Sequence, residues 1–358
     1  MPPMVRRLVG LAAAAALLSG CATTWPVVTS MEYQQASAQL QAKALEFRFR
    51  QMLRVQTVGM RLVTALPPSV RVPSSPYVGL ILSPLDPAVA RVFGLPAGPA
   101  PYGRRGRRAV VVTGVVPGSP GDRAGIRAGD LLVRVNGRFV ETVDGAVAEL
   151  RRLTPNAAAT FALERAGVPQ ETPVAVGVKP YPVGFQVVTD GEEAELWNAW
   201  ASPGQITVTN RLLEFMHSDD ELAVVMGHEL AHLTQGHIVK GFGTSLLGSV
   251  LAAAVAQATD VSVLGDVAGG AVQSAFSRDF ERQADYVGLR YAFQAGYDIR
   301  VGPRLWERVA TELPQRAAIP WLATHPSEPE RMIRLQKTVE EITAGSGAAP
   351  APRPPHHD

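Results

Sequence analysis

The fold of this chain turns on Val224-Val225-Met226-Gly227-His228-Glu229-Leu230-Ala231-His232. Ser218-Asp219-Asp220-Glu221 precedes it and reads as a helix start, with a capping hydroxyl and acids at the positive end of the dipole. The apolar run that follows has a helical period. On such a helix His228 and His232, four residues apart, stack on one face and can share one metal ion. Glu229 lies about 100° round the helix, beside the metal, where a carboxylate can take a proton from water. This H-E-x-x-H arrangement points to a zinc peptidase. The plainer reading is a helix whose histidines merely pack or face solvent.

Two imidazoles make half a site, so the third ligand decides the class. The metzincin pattern wants Gly and His where this chain has Gln235 and Ile238, which excludes it. His237, five residues past His232, is rotated about 140° off the metal face. It reads as a helix C-terminal histidine or one that supports a ligand, in preference to a ligand itself. Phe276 to Asp285 offers a better partner, because Glu281 and Asp285 are four apart on one face of a second helix. Glu281 would complete a His-His-Glu site with the fourth position left for water. Asp285 could hold a ligand or stabilise the reacting centre. Taken alone, such a pair is an ordinary solvated face.

His228-Glu229-Leu230-Ala231-His232, followed by Ser277-Arg278, Glu281, Ala284 and Asp285, resembles the CAAX-prenyl-protease/HtpX-like zinc metallopeptidases. Trp197 to Gly204 with Ile206 to Thr209 is similar to that family's Asn-Ala edge strand, with Trp200 where the family has Phe. Thr324-His325-Pro326-Ser327 with Arg331 is similar to its His-Pro element, and Val58 to Leu62 to the end of its first helix. The resemblance implies zinc on His228, His232 and Glu281, Glu229 as general base, and Asp285 as proton donor or supporting group. It implies that Asn198, Ala199 and Trp200 hold the substrate as an added strand. It also brings His325 toward the oxyanion, with a structural hydrogen bond as the alternative.

At the start of the chain, Arg6 and Arg7 precede an Ala/Leu run from Leu8 to Leu18, a secretory signal over residues 1–20. Leu18-Ser19-Gly20-Cys21 resembles a bacterial lipobox, which would make Cys21, the one cysteine, an acylated membrane anchor. A plain signal peptide with an incidental cysteine is the alternative. Ala22 weakly favours the outer membrane. Losing Arg6 and Arg7 takes the formal charge from +2 to 0, and nothing points to nucleic acid. With 46% hydrophobic and 18% charged residues over 358 positions, the chain can bury two cores.

Residues 31–66 predict a long helix, ended by Pro67-Pro68, that packs on the catalytic domain in preference to serving as a free spacer. From Tyr77 to about Pro180 the pattern changes to short strands, with a hairpin turn at Asn136-Gly137 and a helix over Asp144–Leu153. The series Gly118-Ser119-Pro120, Ala124-Gly125-Ile126, Gly129-Asp130 and Val135-Asn136-Gly137 closely resembles a bacterial PDZ domain. That likeness implies a peptide groove between Gly79-Leu80-Ile81 and the 144–153 helix, open to substrates or envelope proteins; an interdomain brace is the alternative. Four arginines between Arg104 and Arg108 read as a solvated loop. If the first helix belongs to the peptidase, the PDZ module is inserted before the strand at Phe185.

Leu246 to Ala275 is Ala- and Gly-rich but broken by Gln257, Asp260 and Asp266, so a membrane span is disfavoured. It reads as a helix over 241–258 and a lid over 259–270. Helices over 301–313 and 332–342 and a disordered tail from 344 complete the chain. The fold class is α+β: a mainly helical zincin-like domain (181–343) with a small edge sheet, an anchor and helix (21–76), and a β-rich PDZ domain (77–180). These parts predict a zinc endopeptidase of the cell envelope, facing the periplasm. The rival is a catalytically silent, lipid-anchored peptide binder with structural zinc.

Overall fold

The computed structural model describes residues 26, 28–72, 75–96, 109–242, 277–313 and 329–346. The 1–20 signal, Cys21, the arginine loop, most of the expected 241–258 helix, the 259–270 segment, His325 and residues 347–358 lie outside them, whereas residues 344–346, expected in a disordered tail, are helical. The chain divides at Lys43/Ala44 into two units. In the first, Thr29 and Glu32 cap α1 (Ser30–Thr64) reciprocally: the Glu32 N–H donates to Thr29 Oγ1 at 3.2 Å, and the Thr29 N–H to Glu32 Oε2 at 2.8 Å. Met31, Tyr33 and Leu40 are exposed there.

In the second unit, α1 continues with Val55, Val58, Leu62 and Val63 buried, and it ends before Pro67 as proline requires. Next come β1 (Ser75–Tyr77), β2 (Leu80–Pro84), α2 (Pro87–Phe93), β3 (Val110–Val115), α3 (Pro120–Arg123), β4 (Leu131–Val135), β5 (Arg138–Phe139), α4 (Val143–Arg151), β6 (Ala158–Arg165) and β7 (Val168–Ala175). Strands β2-β3-β4-β6-β7 form an antiparallel sheet, with β5 on β4. Its inward residues, among them Val110, Val112, Leu132, Phe161 and Leu163, make one core. Among the described residues β2 pairs with β3 only, which makes it an edge of this sheet, and α4 lies against β1 and β2. A strand over 172–178 is the sequence expectation; the structure has a longer β7 and, after a break at Val176, β8 (Gly177–Lys179), which pairs with β1. Leu45 and Phe49 of α1 pack on Val89, Val111 and Leu131, so the helix touches this module as well.

The remaining elements are β9 (Gly184–Val188), β10 (Ala199–Ser202), β11 (Gln205–Thr209), α5 (Asn210–Phe215), α6 (Asp219–Thr234), α7 (His237–Phe242), α8 (Arg278–Gln294), α9 (Val301–Glu312) and α10 (Pro329–Ser346). Helix α10 extends past both ends of the expected 332–342. Strand β11 runs parallel to β9 and antiparallel to β10, which among the described residues is an edge of this small sheet. Helix α6 packs against β10, β11, α8 and α9. Its buried residues join those of α1, α8, α9 and α10 in the larger core, which includes Val58, Ile206, Met226, Leu230, Leu289 and Trp306. The architecture is α+β, as expected. Among the described residues no helix is long and apolar enough to cross a membrane.

Candidate metal centre

Helix α6 starts where its sequence says it should. The Ser218 hydroxyl accepts the Glu221 N–H at 3.2 Å, and the Glu221 carboxylate accepts the His217 N–H at 2.7 Å and Arg308 Nη1 at 2.7 Å. Residues Asp220 to His232 are all buried. Helix α8 starts in the same way, with Ser277 Oγ accepting from the Phe280 N–H. The two helices cross at glycines. A Cβ on Gly288 would lie 2.6 Å from the His228 nitrogen, and one on Gly227 would lie 2.7 Å from the Gly288 carbonyl oxygen. Backbone contact this close carries Glu281 and Asp285 to the histidine face.

At the crossing, His228 Nε2 and His232 Nε2 stand 3.1 Å apart. Glu281 Oε2 is 3.5 Å from the first and Oε1 is 3.3 Å from the second. One ligand atom from each of the three residues lies within 4.8 Å of the others, and all three residues are buried. Donors at zinc–ligand distances on a tetrahedral ion are spaced about 3.3–3.4 Å apart, so the set fits one zinc. Two imidazoles and a carboxylate are also a donor set zinc favours.

The far nitrogens of both rings are occupied. His228 Nδ1 is 3.0 Å from Asp285 Oδ1, and Arg331 grips Asp285 with two bonds, Nε to Oδ2 at 2.9 Å and Nη2 to Oδ1 at 2.6 Å. Arg331 Nη1 also lies 3.7 Å from Glu281 Oε2, and its guanidinium rests 3.6 Å from the centre of the Trp306 ring. Burial pushes the His228 pKa down, but the hydrogen bonds and charges of Asp285 and Glu281 outweigh it and hold the ring up to about 9. Burial pushes Asp285 up, yet the Arg331 charge and the His228 hydrogen bond keep it below the usual carboxylate range. With its Nδ1–H held by an ionised Asp285, the His228 ring points Nε2 toward the metal position, and Nε2 would give up its proton on binding a metal. His232 Nδ1 faces His237, 3.1 Å away.

Glu229, next to the first ligand, is fully buried. Ala199 and Trp200 lie on edge strand β10, opposite Val208 and Thr207, with Asn198 just before them. Leu80 and Ile81 lie on edge strand β2 and Gly79 at its entry. Arg331, expected only as part of a likeness near the C-terminus, proves to be a buried member of the centre. Its signal was an arginine early in an amphipathic helix that otherwise needs no buried charge. Gln283 and Trp306 had no signal of their own.

An H-E-x-x-H helix crossed by a second helix bearing Glu281, beside a small edge sheet, defines a metallopeptidase-type centre. The chain belongs to peptidase family M48, whose model matches residues 149–339, more than half of the 358. A PDZ domain model matches residues 111–165. The mitochondrial metalloendopeptidase OMA1 of Arabidopsis thaliana is 35% identical over 135 residues, 37% of this chain and 28% of that protein. A putative beta-barrel assembly-enhancing protease of Vibrio cholerae is 29% identical over 142 residues, 36% of this chain and 29% of that protein. These matches span less than a third of either relative's own length. Among solved structures, the HtrA-type protease AlgW with decapeptide matches with a TM-score of 0.27 and 21% identity, over 30% of this chain and 31% of that chain.

Proposed function

We propose that this chain is a zinc-dependent endopeptidase acting on proteins or peptides in the bacterial cell envelope. The observation that carries the reading is the convergence of His228 Nε2, His232 Nε2 and the Glu281 carboxylate, with Glu229 buried at the next helix position after His228. When bound there, zinc would supply Lewis acidity that polarises a carbonyl and makes water more acidic near neutral pH. Glu229 takes the proton of the attacking water and passes it to the leaving amine. The backbone at Asn198, Ala199 and Trp200 lines up an extended substrate, since β10 has an unpaired edge within the described sheet. Asp285, with Arg331, orients His228. His325 is assigned to the oxyanion on family likeness alone.

Around this centre we divide the chain into a signal (1–20), an anchor and helix (21–76), a PDZ domain (77–180), the peptidase domain (181–343) and a tail. The α1 residues that share the larger core support treating the PDZ module as an insertion. Its groove at Gly79, Leu80 and Ile81 would take a substrate segment or C-terminus. Within the family, the motif likeness favours a CAAX-prenyl-protease/HtpX-like branch of periplasm-facing lipoproteins, held at the outer membrane through Cys21. The name of the Vibrio relative, which refers to β-barrel assembly, supports an envelope role in protein quality control.

The test is casein cleavage by wild type and Glu229→Gln, with zinc content measured on both. Wild type should cut and Glu229→Gln should hold zinc without cutting. Hydrolysis by that variant removes Glu229 as the base.

A further inference from the structure

Helix α6 ends at Thr234, and the Gln235 N–H donates to the Ala231 carbonyl at 2.9 Å. Gly236, at φ +69°, then turns the chain in a way a side chain would resist. His237 therefore does not continue the rotation of α6. Its ring comes back against His232 with the two Nδ1 atoms 3.1 Å apart, and both residues are fully buried. It lies flat on Phe280, with ring centres 4.3 Å apart and planes 8° from parallel. On the far side, His237 Nε2 is 2.9 Å from Gln283 Oε1, and Gln283 Nε2 donates to Gln235 Oε1 at 3.2 Å.

These bonds run in one direction. Gln283 spends an amide N–H on Gln235, so its Oε1 faces His237 and accepts. His237 then carries its proton on Nε2 and presents a lone pair at Nδ1. That lone pair accepts from Nδ1–H of His232, which leaves the His232 Nε2 lone pair for a metal. The opposite direction would put the proton on His232 Nε2 and shut that ring out of the site.

We propose that His237 is a positioning residue that holds His232 in the metal-binding tautomer, with Gln283 setting the direction of the bond. The inference rests on the metal reading of His228, His232 and Glu281. It makes the two imidazole ligands unequal: His228 leans on an ionised carboxylate, whereas His232 leans on a neutral ring that is itself held in place.

The experiment is zinc affinity measured against a chromophoric chelator for wild type, His237→Phe, His237→Asn, Gln283→Met and His232→Ala. His237→Phe keeps the stack on Phe280 but cannot accept a hydrogen bond, and should weaken zinc about 10–100-fold, the usual cost of losing such a partner. His237→Asn places an amide oxygen near the position of Nδ1 and should recover most of that loss. Gln283→Met should weaken zinc in the same direction by a smaller factor. Equal affinity in wild type and His237→Phe overturns the proposal, and so does an equal loss in the Phe and Asn variants, which would mean packing alone. If His237→Phe does not fold, wild-type affinity in Gln283→Met overturns it. The metal reading fails separately: His232→Ala binding zinc as tightly as wild type would refute the centre itself, and the role of His237 with it.

Discussion

The crossing of α6 and α8 makes a sharp prediction for Gly288→Ala. Alanine is the better helix former by about 0.8–1.0 kcal/mol, so helix propensity alone says the change stabilises. The added Cβ, however, would stand 2.6 Å from the His228 nitrogen and 2.8 Å from both the Gly227 carbonyl carbon and the His228 Cα. Those atoms are helix backbone and cannot rotate away. To reach an ordinary contact the helices must part by about 0.8 Å, and overpacking of this kind costs about 1–3 kcal/mol. Steric cost therefore exceeds the propensity gain. The metal site feels the shift more than the fold does, because His228 lies at the contact point and zinc tolerates ligand displacements of only about 0.2 Å. Zinc affinity should fall at least tenfold, with a lowered urea midpoint. Gly302→Ala is the control, since its Cβ would meet Leu289 Cδ2 at an ordinary 3.4 Å. Chelator competition and urea unfolding on the three proteins decide it. A Gly288→Ala protein with wild-type zinc affinity and an unchanged or raised midpoint would refute the account of how the ligands are brought together.

Other outcomes follow from buried charge. Arg331→Met keeps an apolar contact with Trp306 but leaves Asp285 and Glu281 without their guanidinium, and losing one partner of a buried pair costs about 3–5 kcal/mol. Urea unfolding of the metal-free variant should show a loss of that size; a loss below about 1 kcal/mol would mean that water reaches the pair. Lys179, whose ammonium donates to the Val183 carbonyl at 2.8 Å, is pushed down to about 8 by burial. Between that value and the unfolded value of about 10.4, the unfolded chain binds more protons, so stability should rise with pH across this window. Lys179→Met should flatten that rise and gain about 2 kcal/mol at pH 7, after allowing for solvent around the half-buried side chain. An undiminished slope in the variant would assign it to another group.

The parts that depend on neighbours along the chain are written in the order of residues alone. Ser218 and Ser277 cap their helices, His228 and His232 share a face because four residues make about one turn, and Asn136-Gly137 turns a hairpin. Alternation and turn residues were enough to separate a β-rich module from a helical one. Among residues far apart in the chain, Glu281 and Asp285 were legible as a carboxylate pair on one helix face that could complete the site, and a resemblance tied them to the histidines but described Arg331 only as part of a C-terminal element. Tertiary structure alone decided that two glycines let α6 and α8 touch, that Gly236 returns His237 to His232, and that Arg331 closes over Asp285 and Glu281. Periodicity fixes which way a side chain faces on its own helix. Where two faces meet depends on how closely and at what angle the helices pack, and that is set by contacts between residues the local pattern does not connect.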